Sequence, residues 1–240
     1  MNRAVAHRVY FSDLNGVGPG SVLSIGGEEA NHAARVKRVR PGEAVGLFDG
    51  RGLVAFGSVV RAESGKRALL EISVEGVERW APVAPRVEVW CPPPKGDRLD
   101  TMIEQLSQLG VGAWRPLRTA RSERDAFRAD KLERVAVESA KQCGRAWLLE
   151  VGDWASFEHA IADPRAVLAD ASGEPGHATD AGTVLLLGPE GGWTAEELEQ
   201  ARGAGRSVVR FGPHVMRIET AAVGGAACLL SDAIQTKGAQ

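Results

Sequence analysis

Along the first eighty residues apolar positions come in short runs of about five. Ser21–Ile25, Ala44–Phe48, Leu53–Phe56 and Ala68–Ile72 are apolar or alternating, with turn formers between them at Gly26-Gly27, Pro41-Gly42, Asp49-Gly50-Arg51-Gly52 and Ser64-Gly65. Short runs at this spacing predict a small β-barrel. One helical piece, Glu28 to Val39, interrupts them, and the proline-bearing stretch 79–85 reads as a linker. From residue 86 the pattern becomes strand and helix in alternation. Val87–Cys91, Ala113–Leu117, Trp147–Val151, Ala166–Ala169, Val184–Leu187 and Val208–Phe211 are strand-like. Leu99, Met102, Ile103, Leu106 and Leu109 fall on one helical face, with Asp97 as cap and Gly110 as stop. Asp130 to Gly144 is a second helix, Thr194-Ala195-Glu196-Glu197 is a capping box before a third, and Thr220 to Ile234 is a small-residue helix. The expected architecture is α/β: a β-barrel over residues 1–78, then a domain over 79–240 with a mostly parallel sheet.

Composition narrows the function classes. In 240 residues, 29 Lys and Arg stand against 31 Asp and Glu, which excludes a uniformly basic coat but not a basic patch. Two such patches exist. Asn31 to Arg40 carries His32, Arg35, Lys37, Arg38 and Arg40 with no acid, and residues 115–145 hold nine basic against five acidic residues. A solvated face is the ordinary reading of a charge run, but the lack of compensating acids turns the first patch toward a phosphate backbone. No run of about 18 apolar residues is present, so no membrane span is expected. The N-terminal stretch has no apolar leader, and three scattered cysteines (Cys91, Cys143, Cys228) form no metal-binding spacing. The expected setting is cytoplasmic, with no metal and no membrane.

Chemistry concentrates at two strand ends. Leu185 to Thr194 is an apolar run that stops at Gly188 and turns through Pro189, Glu190, Gly191 and Gly192 into a capped helix. Strand C-termini in open α/β sheets are where ligands bind, and glycines there let a ligand lie against the backbone. Spacing alone does not separate this from a plain turn. Phe211 to Ala222 repeats the plan: a strand end, Gly212-Pro213, then Met216, Arg217, Ile218 and Glu219 entering a helix. Two such loops on neighbouring strands would share one pocket. A mundane reading pairs Arg217 with Glu219. A GxGxG at Gly16, Gly18 and Gly20 precedes a strand instead of a helix, so it is read as a loop.

These pieces together resemble a known family. Asn31-His32 with Arg35-Val36, Arg38 and Pro41-Gly42; Phe48-Asp49-Gly50; Lys95-Gly96-Asp97-Arg98; Gln108-Leu109-Gly110-Val111; Gln142-Cys143-Gly144-Arg145; Leu187 to Gly192; and Gly212-Pro213 with Arg217 and Glu219-Thr220 occur in one order. In this the sequence resembles the bacterial RsmE-type 16S ribosomal RNA uridine-N3 methyltransferases of the SPOUT superfamily. The resemblance implies a PUA-like barrel that holds RNA and a SPOUT domain whose chain forms a trefoil knot. It implies S-adenosylmethionine as cofactor, 16S rRNA of the small ribosomal subunit as partner, and a homodimer with the active site near the subunit interface. It carries cofactor contacts onto Leu187, Gly188, Glu190, Gly191, Gly192, Phe211, Gly212, Met216, Arg217, Ile218, Thr220 and Ala221. Catalysis falls to Arg217 and Glu219, and RNA contacts to His32, Arg35, Lys37, Arg38, Arg40, Lys95, Arg98 and Arg145. The chain departs from the family pattern at Gln105, Gln108, Lys141 and Ile218. A non-catalytic RNA-binding assembly factor of the same fold, or a SPOUT enzyme with another RNA target, are the alternative readings.

Overall fold

Short apolar runs become strands only where partners bury them, and the structure, a computed structural model, describes this for residues 7–123, 126–177 and 182–231. The chain forms two units, residues 1–82 with 140–148, and residues 83–139 with 149–240.

In the first unit the strands are β1 (His7–Tyr10), β2 (Val22–Gly26), β3 (Ala44–Phe48), β4 (Leu53–Glu63) and β5 (Leu69–Arg79), in the order β1-β3-β4-β5-β2. β1 runs parallel to β3 and the other pairs are antiparallel. All five feed one core: Val9, Ile25, Val45, Leu47, Ala55, Val59, Leu70, Ile72 and Val74 are buried together. The helix predicted over 28–39 is instead α1 (Gly27–Asn31) followed by a π-helical turn, His32–Val36. Lys37 N–H donates to His32 O and Val39 N–H to Ala33 O, both 3.1 Å, and this widening keeps Ala30, Ala33 and Val39 all in the core. The Gly16–Gly20 stretch is a loop, as read. Residues 140–148 pack here too: Ala140 and Ala146 lie against Phe48 and Val54, and Trp147 Nε1 donates to Trp80 O at 2.8 Å. The predicted strand 147–151 is therefore divided, and only Glu150–Val151 enters the second sheet.

In the second unit the elements are β6 (Val87–Cys91), α2 (Arg98–Leu109), β7 (Ala113–Arg118), α3 (Ala129–Cys143, its last turn counted with the first unit), β8 (Glu150–Val151), β9 (Ala155–Ser156), α4 (Phe157–Ala162), β10 (Ala166–Pro175), β11 (Thr183–Leu187), α5 (Ala195–Gly203), β12 (Ser207–Arg210) and α6 (Ile218–Leu229). The sheet order is β12-β10-β11-β6-β7-β8, with β9 on β7, and every pair is parallel. Parallel sheets need cover on both faces, which is why β6 and β11 are buried at every position. Val87, Val89, Cys91, Leu185 and Leu187 meet α2 and α6 on one face. Trp90, Leu168, Val184 and Leu186 meet α4 and α5 on the other. Asp97 stands at the start of α2 but makes no side-chain cap, because its backbone (φ −72, ψ −6) is already helical. The last helix ends at Leu229, and the predicted residues 232–234 lie outside those described.

Candidate active site

The C-terminal ends of β11 and β12, the middle of β10 and the first turn of α6 surround a cavity of about 520 Å³. The two loops singled out in the sequence do converge there, but their strands are not neighbours: β10 lies between β11 and β12. A third segment, Ala169-Asp170-Ala171 at the irregularity within β10, thus lines the cavity too. Its signal was an apolar run ending in Asp-Ala-Ser-Gly; Asp170 Oδ1 accepts from Ser172 N at 2.9 Å and from Ser172 Oγ at 2.6 Å. The buried Trp193 is part of its lining. Its Nε1 donates to Ala169 O at 3.0 Å, and its ring lies so near Gly188 that a Cβ there would stand 3.2 Å away. Gly192 turns the loop in the left-handed region (φ +67) with open space where a Cβ would stand. The capping box forms as predicted, Thr194 N donating to Glu197 Oε2 (2.8 Å) and Glu197 N to Thr194 Oγ1 (3.1 Å).

Leu187, Gly188, Glu190, Gly191, Gly192, Phe211, Gly212, Met216, Arg217, Ile218 and Ala221 all line this cavity; Thr220 and Glu219 do not. Helical periodicity explains the split, because Arg217, Ile218 and Ala221 share one side of the first turn while 219 and 220 rotate away. Sequence reasoning missed Pro189, Trp193, Val209, Arg210, His214 and Val215 in the lining. The Arg217–Glu219 pair does not form. Glu219 Oε1 accepts from Arg98 Nη1 at 3.4 Å, and its Oε2 is buried without a hydrogen-bond partner among the described residues. Arg217 is exposed on the cavity rim, and among the described residues its guanidinium holds no hydrogen bond or ion pair. Arg210, the other lining guanidinium, is tied to Gly173 O at 2.8 Å. Lys95 pairs with Glu123. The buried Cys91 thiol accepts from Trp114 Nε1 at 3.2 Å, and burial pushes its pKa up to about 12, so it is no nucleophile.

In the first unit, the basic segment follows α1 through the π-helical turn. Arg35, Arg38 and Arg40 are exposed, His32 and Lys37 half-buried, and Val36 stands 65% exposed among them. Arg38 is the one non-glycine with positive φ (+52) among the described residues. Arg145 is half-buried, and burial pushes its guanidinium down to about 10. Lys141 is buried against Glu29 in an ion pair. Arg38→Gly is expected to leave folding stability unchanged or higher by up to about 1 kcal/mol, since glycine adopts this φ without strain. RNA affinity is expected to fall with a salt slope smaller by about 1. Denaturant melts and binding at graded salt check the two effects.

Residues 82–230 match the family model of the RNA methyltransferase domain, and residues 25–73 that of the RNA methyltransferase PUA domain. Ribosomal RNA small subunit methyltransferase E of Mycobacterium tuberculosis is 35% identical over 85% of this chain and 84% of its own length. The chain belongs to the ribosomal RNA small subunit methyltransferase E family. A second member of the methyltransferase E family, from Bacillus subtilis, is 26% identical over 83% of this chain and 86% of its own. A member from Neisseria gonorrhoeae, solved bound to S-adenosyl methionine, superposes with a TM-score of 0.78 at 26% identity, covering 96% of this chain and 97% of that one. As a methyltransferase E member, the chain pairs a PUA domain with a methyltransferase domain whose sheet is parallel. Among the described residues no cluster of His, Cys, Asp and Glu is arranged to hold a metal ion, and no helix is long and apolar enough to cross a membrane.

Proposed function

We propose that the chain is an S-adenosylmethionine-dependent methyltransferase acting on N3 of a uridine in 16S rRNA, as a homodimer on the small ribosomal subunit. The observation that carries this is the convergence of two strand-end loops and the irregular middle of β10 on one cavity with the unpartnered cation of Arg217 at its rim. The residues fit the cofactor. The volume of about 520 Å³ lies within the range of small-molecule sites. Leu187, Phe211, Met216 and Ile218 offer apolar surface for an adenine, and Asp170 and Glu190 offer carboxylates for a cationic ligand. The cofactor, when bound, supplies a methyl group activated by a sulfonium.

The protein's own part is alignment, a matter of proximity and orientation. Uracil N3 is a poor nucleophile while protonated. Arg217 beside it stabilises the anion left when the N3 proton passes to solvent water, which lowers that pKa. N3 lies on the Watson–Crick edge, so the target base must be unpaired or turned out of its pair. Arg35, Lys37, Arg38 and Arg40 hold the RNA backbone. Glu219 is assigned to holding Arg98 at the start of α6, since it accepts from Arg98 and is not among the residues lining the cavity.

Calorimetric titration with S-adenosylmethionine is expected to show saturable binding, and small-subunit RNA from cells lacking the gene is expected to lose one N3-methyluridine. Absence of binding to the folded protein overturns the reading. RNA binding with an unchanged nucleoside profile would favour a non-catalytic RNA-binding role or another target.

A further inference from the structure

The turn after β7 lies outside the cavity, yet it holds the cavity's glycine loop. Thr119 to Ser122 is a tight turn, Ser122 N donating to Thr119 O (3.1 Å) and Thr119 N to Ser122 Oγ (2.9 Å). From it Arg121 Nη1 reaches Gly191 O at 2.6 Å and Trp193 O at 3.4 Å. The same turn makes a second connection through Ala120 N, which donates to Glu197 Oε1 at 2.9 Å. Two peptide planes in the loop are thereby gripped from both sides. The Gly191–Gly192 peptide gives its carbonyl to Arg121 and its N–H to Pro189 O (2.8 Å). The Trp193–Thr194 peptide gives its carbonyl to Arg121 and its N–H to Glu197 Oε2 (2.8 Å). The approach is close: a Cβ at residue 191 would stand 3.3 Å from Arg121 Cδ.

We propose that Arg121 is a positioning residue that fixes the peptide planes of Gly191–Trp193, and so preorganises the wall of the cofactor cavity from outside it. This rests on the reading of that cavity as the S-adenosylmethionine site. A loop containing a left-handed glycine has many conformations of similar energy, and binding must otherwise select one. A charge-assisted pair of hydrogen bonds to two carbonyls of the same loop, Gly191 O and Trp193 O, selects it beforehand.

Arg121→Ala is expected to speed amide hydrogen exchange at Gly192 and Thr194 about tenfold in the ligand-free protein, the effect of one lost charge-assisted bond at an exposed site. Exchange in β6 and β7, and the melting temperature, are expected to stay unchanged. S-adenosylmethionine is expected to bind about tenfold more weakly, with turnover at saturating cofactor altered much less. Arg121→Lys, which reaches one carbonyl, is expected to fall between. Unchanged exchange at Gly192 and Thr194 overturns the proposal. So does equal acceleration throughout β6 and β7, or a lysine variant no better than alanine. If the wild type bound no S-adenosylmethionine, the function proposed above would fail. The exchange measurement on the ligand-free protein would still decide the role of Arg121.

Discussion

Arg217→Ala is expected to lower turnover on rRNA about 100- to 1000-fold, the cost of removing a preorganised group that stabilises developing charge. Affinity for S-adenosylmethionine is expected to change by less than about threefold, because an exposed rim cation adds little to the binding of a cationic ligand. The other arginines nearby are committed elsewhere. Arg210 is bonded to Gly173 O, Arg121 to Gly191 O, and Arg98 to Glu219 and Lys95 O. Only Arg217, among the described residues lining the cavity, brings a guanidinium without a protein partner. Its backbone starts α6, with Ala221 N bonded to its carbonyl at 2.9 Å, and its side chain makes no cap. Truncation therefore leaves the helix start intact, and stability is expected to hold within about 0.5 kcal/mol. Arg217→Lys keeps the charge but not the planar fork, so it is expected to recover part of the rate. Single-turnover kinetics beside calorimetry separate the readouts. If cofactor affinity collapses as far as turnover does, Arg217 belongs to cofactor binding and its assigned role is lost.

How much of this was legible depended on sequence distance. β3 and β6 carry the residues their apolar runs named, and β11 adds only Thr183, because a strand that the sheet buries at most positions shows as a mostly apolar run. The capping box at Thr194 is equally local. β9 and α4, two and six residues long, are too short for a periodic signal. Strand order is a different kind of fact. Nothing in the runs at 166, 184 and 208 says that the first lies between the other two, so the contribution of Asp170 to the cavity was invisible. Partner choice is similarly non-local. Glu219 looked ready for Arg217 two residues away but is held by Arg98, which the fold of α2 against α6 brings beside it. Arg121 lay in a stretch noted only for its net charge, and its grip on Gly191 spans 70 positions.

Lys141→Glu, at one of the positions where the chain departs from the family pattern, is expected to destabilise the first unit by about 3 kcal/mol. Lys141 has a side chain only 2% exposed and sits against Glu29 Oε1. Glutamate there would put two carboxylates face to face with one of them buried, and disrupting a buried pair costs about 3–5 kcal/mol. The lower figure applies because Glu29 is 28% exposed and water screens it. Glu29 is further held by Tyr10 N, which donates to its Oε2 at 3.4 Å, so the carboxylate cannot simply swing clear. The departure at Lys141 is thus matched by an acid 112 positions earlier, and the pair behaves as one unit. The double variant Glu29→Lys with Lys141→Glu is expected to regain more than about 1 kcal/mol of the sum of the single losses. Urea denaturation of the four proteins measures it, and additivity within about 0.3 kcal/mol would show that the two charges are uncoupled. The consequence reaches function because Glu29 lies in α1, which runs directly into the turn bearing Arg35, Lys37 and Arg38. Loosening α1 is expected to weaken RNA binding in the single variant and restore it in the swap, with affinity for S-adenosylmethionine unaltered in both.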